Sequence, residues 1–261
     1  MLTSQTRPNG STVPAQLRAW STPFPDYAPT DITPPELCAE GIAASVAQGW
    51  AEPETTPLAV DFAARQYLAL VPYRVVNGRP RNPSGRTGRV GRDLGRWGEN
   101  SAADAIVVAD TPHGRFVLLI RRDDCGRWAL PGGMVEPGEF VLTAAVRELA
   151  EETGIDLHGA TGEVVFRGYV DDPRNTDEAW VCTAALLYRV TACLPAVGAD
   201  DAAEARWWPF DSPAALTVAL STCGERLYRA HGPLLAAAHE RLTAAGPHRH
   251  RSTDDARRNT L

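Results

Sequence analysis

The sequence predicts an α/β fold, in which helices cover both faces of a mixed β-sheet and an N-terminal extension precedes the sandwich. Two observations carry this prediction. From Ala105 onward, apolar segments of strand length alternate with helix-like segments. Before that point the chain is rich in Pro, Trp, Gly and Arg, with few periodic apolar stretches. Such a change of texture indicates an extension in front of a compact domain.

The individual elements follow in chain order. In the N-terminal part only 36–48 and 58–70 have the pattern of short helical or extended pieces. AIVVAD and RFVLLIRR predict two strands joined by a turn at Pro112-His113-Gly114. After a glutamate-rich helix, EVVFRGYVDD, AWVCTAALLYRV and EARWWPF predict three further strands, and 225–244 predicts a closing helix.

The chain of 261 residues is accordingly divided into four parts. Residues 1–18 are predicted to be a flexible leader, 19–102 the N-terminal extension packed on the core, 103–245 the main domain, and 246–261 a disordered, Arg/His-rich tail. The leader lacks acids and carries Arg7 and Arg18, which is similar to an organellar targeting segment. Its prolines and weak amphipathicity favour a plain leader, so a cytoplasmic location is expected.

Composition narrows the class of function. A net charge of −6 argues against general nucleic-acid binding, and no apolar run approaches membrane-spanning length, so no membrane partner is expected. The five cysteines are scattered without a CxxC pair, which favours buried thiols in a reducing compartment. All 26 basic residues are arginine, so any basic side chain on a phosphate is a guanidinium.

Three glutamates carry the chemistry that the sequence suggests. On a helix, Glu148, Glu151 and Glu152 stand at i, i+3 and i+4, so their carboxylates share one face and repel each other. A divalent cation would neutralise them, and Mg²⁺ or Mn²⁺ suits clustered oxygen ligands beside a phosphate substrate. The alternative is a solvated acidic helix face.

The surroundings favour the metal site. An apolar stripe of Leu142, Val146, Leu149 and Thr153 is predicted to anchor the opposite face of the helix in the core. Gly132-Gly133 and Pro137-Gly138 form tight loops before the helix, and Gly154 stands where a C-cap is expected.

This segment resembles the signature of the Nudix hydrolases. The pattern is filled without a departure by Gly133, Glu139, Arg147, Glu148, Leu149, Glu151, Glu152, Gly154 and Ile155. The resemblance implies a metal-dependent hydrolase of a nucleoside diphosphate linked to another moiety. It implies that the helical glutamates hold the divalent ion and that Arg147 orients a glutamate by a salt bridge. Gly132 completes the predicted metal ligands.

Three further segments resemble one branch of the family, the mitochondrial-type ADP-ribose pyrophosphatases. That branch includes the Nudix-like domain of the melastatin-type channel gated by ADP-ribose. The segments lie at 82–100, 124–134 and 168–180. This likeness implies hydrolysis of ADP-ribose to AMP and ribose 5-phosphate, with a small-molecule substrate as the partner of a monomer or homodimer.

Substrate contacts are carried over from the resemblance. In the channel domain, the residues that match Asp172 and Arg174 hold the region of the distal ribose and phosphate, and we assign these two the same role. The alternative reading of DDPRNTD is a turn rich in Asx-type caps. Arg86 and Asp104 complete the predicted substrate-binding set. Trp180 is a candidate for stacking on adenine, with a core position as the alternative.

The general base and the substrate stay open at this point. The loop before a late strand offers Asp200, Asp201 and Glu204, and a glutamate of the signature is the competing choice. The hydrolase alternatives are NADH, a nucleotide sugar or a specialised metabolite. A non-catalytic ADP-ribose sensor is the alternative from another class, and the intact acidic signature favours catalysis over it.

Overall fold

The computed structural model of the protein describes residues 13–244. The strands are β1 Thr30–Asp31, β2 Arg74–Val76, β3 Arg79–Arg81, β4 Arg89–Val90, β5 Gly98–Thr111, β6 Gly114–Arg122, β7 Trp128–Ala129, β8 Gly132–Met134, β9 Glu163–Tyr169, β10 Ala179–Val190 and β11 Ala202–Pro209. The α-helices are α1 Ile42–Ala47, α2 Phe62–Leu68, α3 Val141–Thr153, α4 Pro213–Thr222 and α5 Gly232–Ala244. Four 3₁₀ turns occupy Ala15–Leu17, Pro35–Leu37, Pro57–Ala59 and Arg229–His231.

The central sheet is mixed and has the order β11-β6-β5-β10-β9, with β7 paired to β6 and β8 paired to β5. β5 and β10 run parallel over the whole length of β10. The other pairs of this sheet are antiparallel. Two small sheets, β1 with β4 and β2 with β3, belong to the N-terminal part.

Helices cover both faces of the central sheet, because its inner strands are apolar on both sides. Along β5, Ala105 and Val107 pack with α3, whereas Ile106 and Val108 pack with α4 and α5. This alternation is the period of two that a strand imposes on its side chains. The predicted α/β sandwich with a mixed sheet is therefore confirmed.

Helix α3 is held to the sheet by small side chains. Its buried residues are Ala144, Ala145, Leu149, Glu152 and Thr153. Gly154 ends the helix in the left-handed conformation, with φ of 70°, as its sequence position predicts. The predicted apolar stripe is wrong at Leu142, which is 49% exposed, because it lies in the first turn of α3, ahead of the residues that are buried against the sheet.

The N-terminal extension is packed on the sandwich through an aromatic cluster. Phe62, Tyr73 and Trp97 of the extension enclose Trp180 and Cys182 of β10. The rings of Tyr73 and Trp180 meet edge to face at 5.1 Å between centroids. Trp180 is fully buried in this cluster, so it has a core position and no face to offer an adenine.

Two boundaries differ from the prediction. Residues 13–18 were assigned to a flexible leader, but Val13 is buried and the backbone N–H of Arg86 donates to the carbonyl of Arg18 at 2.8 Å. The closing helix begins at Gly232 and not at Glu225, because the preceding residues pair with β7. Residues 1–12, and the predicted tail at 246–261, lie outside the part that the structure describes.

Helix α4 was not predicted, although its start has a clear signal. Ser212 caps it by accepting a hydrogen bond from the N–H of Ala215, and Pro213 occupies the first turn. Within residues 13–244, no helix has the length and apolarity that crossing a bilayer requires.

Candidate active site

The three glutamates of α3 differ in their exposure. Glu152 is 2% exposed, the Glu148 side chain is 14% exposed, and the Glu151 side chain is 46% exposed. Since they stand on one helix face, the exposure rises from the core toward solvent across that face. The helix therefore places a graded row of carboxylates at the surface of the sandwich.

Arg147 connects the row to the loop before the helix. Its Nε and Nη2 donate to the two carboxylate oxygens of Glu139, each at 3.0 Å. Its Nη1 donates to Glu148 at 2.9 Å and to Glu151 at 3.0 Å, and Nη2 also donates to the carbonyl of Met134. The guanidinium thus fixes three carboxylates at once, and their charge raises the pKa of Arg147.

Two consecutive glycines bring β8 against this row. The backbone N–H of Gly132 donates to Oε2 of Glu152 at 2.8 Å. A Cβ on Gly133 would lie 2.4 Å from a carboxylate oxygen of Glu148, and a Cβ on Gly132 would lie 2.5 Å from the carbonyl of Ala103. Side chains at these two positions would push the strand away from the glutamates, so the glycines are required for the close approach.

Carboxylates crowd around Glu152 from two directions. Its pKa is raised to about 9, first by burial and then by Asp201, whose carboxylate lies within hydrogen-bonding range, and by Glu148. The pKa of Glu148 is also raised, mainly by burial, although Arg147 opposes the shift. Glu152 therefore binds a proton more tightly than a free carboxyl group does.

The cluster fits a divalent cation in its charge and its donor atoms. A cation would replace the proton on Glu152 and relieve its repulsion from Asp201 and Glu148. No preformed cage of three or more His, Cys, Asp or Glu side chains exists among residues 13–244. Mg²⁺ is held in proteins by one or two carboxylates, with water and substrate phosphates as its other ligands, so such a cage is not required.

Of the three candidates for a general base, only Asp201 lies in this cluster. Asp201 contacts Glu152, and its carbonyl accepts a hydrogen bond from the N–H of Asp123 at 3.0 Å. Glu204 is turned to Arg206, which donates to it. Asp200 adopts a positive φ of 54° in the turn before β11, and the carboxylate that acts on Glu152 is that of Asp201. The turn thus aims one carboxylate of its two into the row.

Asp172 and Arg174 form a bidentate pair within one loop. Nε and Nη2 of Arg174 donate to the two carboxylate oxygens of Asp172 at 2.9 and 2.8 Å, and the Arg174 N–H donates to the same carboxylate. Asp172 is buried, whereas a third of the Arg174 side chain is exposed. Asp172 therefore holds the guanidinium of Arg174 at the surface of the loop.

This loop and Asp201 flank the same turn between β6 and β7. The pKa of Asp124 in this turn is lowered to about 2, mainly by the bidentate hydrogen bond from Arg122 and to a smaller extent by the charge of Arg174. The neighbouring Asp123 donates its N–H to Asp201. The structure therefore brings the predicted distal-ribose residues and the acidic row to one side of the sheet.

The structure gives Arg86 a different role from the one predicted. Its Nη1 donates to the carbonyls of Leu17 and Ala19, and its Nη2 donates to the carbonyl of Thr22. The guanidinium also lies over the ring of Trp20, 5.1 Å from its centroid. Arg86 thus anchors the first residues of the extension. It also lines a cavity of about 620 Å³ together with Arg18, Arg89, Tyr169 and Asp171.

Asp104 is likewise engaged inside the protein. It is 6% exposed, and its Oδ2 accepts a hydrogen bond from the Thr183 hydroxyl at 2.6 Å. Its Oδ1 lies 3.6 Å from Nε2 of His231. Asp104 therefore supports the site from beneath and does not face a substrate. His231 is not among the predicted site residues, because a single histidine before a helix belongs to no sequence pattern.

Comparison with known proteins agrees with this geometry. A NUDIX domain model matches residues 100–222, and a model described as "NUDT9-like, N-terminal domain" matches residues 13–98. The chain is 35% identical over 243 residues to the mitochondrial ADP-ribose pyrophosphatase of Rattus norvegicus, covering 76% of this chain and 67% of the relative. It is 37% identical over 221 residues to the putative nudix hydrolase 6 of Caenorhabditis elegans, covering 75% of this chain and 81% of the relative.

A third relative is a much longer protein. The chain is 33% identical over 232 residues to the transient receptor potential cation channel subfamily M member-like 2 of Nematostella vectensis, and the match covers 72% of this chain but 14% of the channel. The resemblance to both the pyrophosphatase branch and the channel domain is thereby confirmed.

The expected cytoplasmic location is contradicted by these comparisons, because the pyrophosphatase relative from the rat is a mitochondrial protein. The expectation relied on residues 1–18, most of which lie outside the described range. Together, the two matching models, the identity to two relatives over at least two thirds of their length and the intact acidic row on α3 show that the chain belongs to the Nudix hydrolase family and carries a NUDT9-like N-terminal domain.

Proposed function

We propose that this Nudix hydrolase cleaves the diphosphate of ADP-ribose, giving AMP and ribose 5-phosphate, with Mg²⁺ or Mn²⁺ as its cofactor. The observation that carries the proposal is the convergence of Glu152, Glu148 and Asp201 beside the N–H of Gly132. The names of the relatives narrow the substrate, since one of them is an ADP-ribose pyrophosphatase. Residues 103–245 form the hydrolase domain in this proposal, and 19–102 form the extension.

Each residue of the site has a task in this reaction. Glu148, Glu151 and Glu152, with Gly132 beside them, are the residues that hold the divalent ion. When bound, this ion supplies positive charge for the diphosphate and makes a coordinated water more acidic. Arg147 keeps Glu148 and Glu151 in position by the hydrogen bonds described above. The carboxylates are thus oriented before the substrate arrives.

Asp201 is the base of the proposed mechanism. Its carboxylate takes a proton from the water that attacks one phosphorus, and the bond from that phosphorus to the bridging oxygen breaks. One phosphate leaves on AMP and the other on ribose 5-phosphate. Among the acids of the turn before β11, Asp201 is the one that contacts the glutamate row, which supports this choice.

Asp172 and Arg174 select the distal half of the substrate. A guanidinium held at the loop surface by a buried carboxylate suits a ribose phosphate, which presents hydroxyls and an anionic oxygen. The diphosphate would then extend from Arg174 along the β6–β7 turn to the acidic row. Nucleotide sugars such as ADP-glucose share the diphosphate but lack the distal ribose, whereas NADH has this ribose with a nicotinamide on its C1.

A substrate panel tests the proposal. Purified protein with Mg²⁺ is incubated with ADP-ribose, NADH, ADP-glucose and a dinucleoside polyphosphate, and the products are separated by chromatography. We expect AMP and ribose 5-phosphate as products in equal amounts. The kcat/KM should be highest on ADP-ribose, and no product should form in the presence of EDTA. Preference for another substrate would refute the ADP-ribose assignment. Tight binding of ADP-ribose without turnover would refute catalysis and favour a sensor.

A further inference from the structure

His231 lies behind the active site. It belongs neither to the Nudix signature nor to the row of glutamates on α3. It ends the 3₁₀ turn Arg229–His231 before α5 and is 8% exposed. Its Nδ1 accepts a hydrogen bond from the backbone N–H of Leu130 at 2.8 Å, and this bond is buried. The side chain of His231, which precedes α5, therefore fixes the backbone N–H of Leu130, two residues before Gly132.

The bond completes a strand pairing that the chain interrupts. Trp128 and Leu227 form a parallel bridge, in which the Trp128 N–H donates to Arg226 at 2.9 Å and the Tyr228 N–H donates to Trp128 at 2.7 Å. Continued in the same register, the Leu130 N–H would donate to the carbonyl of Tyr228. That carbonyl instead accepts from the N–H of His231 at 3.0 Å, because the 3₁₀ turn begins there. The imidazole supplies the acceptor that the turn removes.

The carboxylate of Asp104 lies beside the other nitrogen of this ring. Since Nδ1 accepts a hydrogen bond, the proton of the neutral ring is on Nε2, which lies 3.6 Å from Oδ1 of Asp104. The hydroxyl of Thr183 holds the other oxygen of the same carboxylate. His231 is thus clamped between β5 and the Leu130 backbone by groups that are all buried.

The segment from Leu130 to Gly132 is then fixed at each residue. The Leu130 N–H is held by His231, the Pro131 carbonyl accepts from the Ala105 N–H at 2.8 Å, and the Gly132 N–H donates to Glu152 at 2.8 Å. Release of the first of these bonds frees the segment to move away from the glutamate. A buried N–H without a partner also destabilises the local conformation.

We propose that His231 is a positioning residue for hydrolysis, which acts by holding the Leu130–Gly132 segment so that Gly132 stays against Glu152. The inference rests on the proposed metal-dependent hydrolysis at that glutamate. It assigns the 3₁₀ turn before α5 to the active-site machinery, although His231 itself does not touch the acidic row.

Two variants of His231 distinguish the effect of its hydrogen-bond acceptor from the effect of its side-chain volume. His231→Phe keeps a ring of similar volume but has no acceptor, whereas His231→Asn presents its Oδ1 as many bonds from Cβ as the Nδ1 of histidine. We expect His231→Phe to lower kcat about tenfold or more, as the loss of a buried hydrogen bond at the site predicts, with KM within threefold of the wild type. The half-saturating Mg²⁺ concentration should rise. His231→Asn should recover most of kcat.

His239→Phe is the matched control, because His239 is a half-buried histidine of α5 whose ring packs on Phe210. It should leave kcat and the Mg²⁺ requirement unchanged. The proposal is overturned if folded His231→Phe has the kcat of the wild type, or if His231→Asn loses as much as His231→Phe. If His231→Phe does not fold, His231→Leu, which also has no acceptor, takes its place with the same expectations.

Hydrogen exchange gives a readout that does not depend on turnover. The amides of Leu130 and Gly132 should exchange faster in His231→Phe than in the wild type and in His239→Phe. A wild-type protein inactive on every substrate would refute the proposed function alone, and the exchange rates would still decide whether His231 holds the segment. Equal exchange in all three proteins would overturn the positioning role.

Discussion

The backbone N–H of Gly132 donates a 2.8 Å hydrogen bond to the buried carboxylate of Glu152. This bond joins the strand before the signature helix to the helix itself, and Asp201 meets the same carboxylate from the turn before β11. Three separate segments of the chain therefore determine the state of one side chain. The consequences for rate, stability and specificity can be measured separately.

The first prediction concerns the acidic row. Glu151→Gln and Glu152→Gln each remove an anionic ligand with almost no change of volume, so both should lower kcat by about 10²-fold or more at saturating Mg²⁺ while the fold is kept. Glu40→Gln, an exposed site on the extension, is the matched control and should be neutral. Steady-state kinetics and circular dichroism check both points. A kcat near that of the wild type in both variants would contradict the metal-site proposal.

The second prediction is a pH dependence of stability without metal. The folded pKa of Glu152, about 9, is above the ordinary value of 4.5, so the folded protein binds a proton in this interval that the unfolded chain has released. The free energy of unfolding should therefore fall as the pH rises from 4.5 to about 9. Thermal melts in EDTA measure this slope. Mg²⁺ at pH 8 should raise Tm, since it replaces the proton.

Glu152→Gln serves as the control for this slope. It removes the titrating group, so its Tm should depend less on pH over the same interval and respond less to Mg²⁺. An unchanged slope in the variant would show that other groups cause the dependence.

The third prediction distinguishes the two aspartates of the turn before β11. Asp201→Asn should lower kcat by about 10²-fold or more, as the loss of a general base predicts, because Asp201 contacts the glutamate row. Asp200→Asn, one residue away, should lower it less than threefold. Similar losses in the two variants would mean that the conformation of the turn matters, and the assignment of the base would be wrong.

The fourth prediction concerns specificity. Arg174→Ala removes a guanidinium that Asp172 holds at the loop surface, for which a loss of about 1.5–3 kcal/mol in kcat/KM for ADP-ribose is expected. ADP-glucose has the same adenosine and diphosphate but no distal ribose, so the loss in kcat/KM for this substrate should be much smaller. Arg167→Ala removes an exposed arginine of β9 and is the control. An equal loss on both substrates would mean that Arg174 contacts the shared diphosphate or is structural.

Local patterns predicted much of the fold. β10 begins and ends at the predicted residues, and Gly154 ends α3 as its position indicates, because strand alternation and helix capping are encoded by neighbouring residues. The start of α5 was misplaced, since residues 226–228 pair with β7, which lies far away in the sequence. No local pattern contains that partner.

In the site, too, local spacing is predictable from the sequence and tertiary contacts are not. The spacing of Glu148, Glu151 and Glu152 within one helix predicts their common face. The burial of Glu152, the engagement of Arg86 with three carbonyls and the contact of Asp104 with His231 all depend on tertiary packing. A residue type and a motif indicate what a side chain is able to do, whereas its neighbours in space determine which role it has.

The parallel pairing of β5 with β10 also sets the order in which the protein is assembled. Residues 98–109 pair with 179–190. The first strand of the core therefore has no parallel partner until most of the chain has been synthesised. The extension also cannot complete its packing before β10 is made, because its aromatic cluster includes Trp180. The two matched domains should therefore fold in one kinetic step, and stopped-flow fluorescence would contradict this if Trp97 and Trp180 became buried at different rates. On the ribosome, the extension emerges first but becomes stable only when β10 follows.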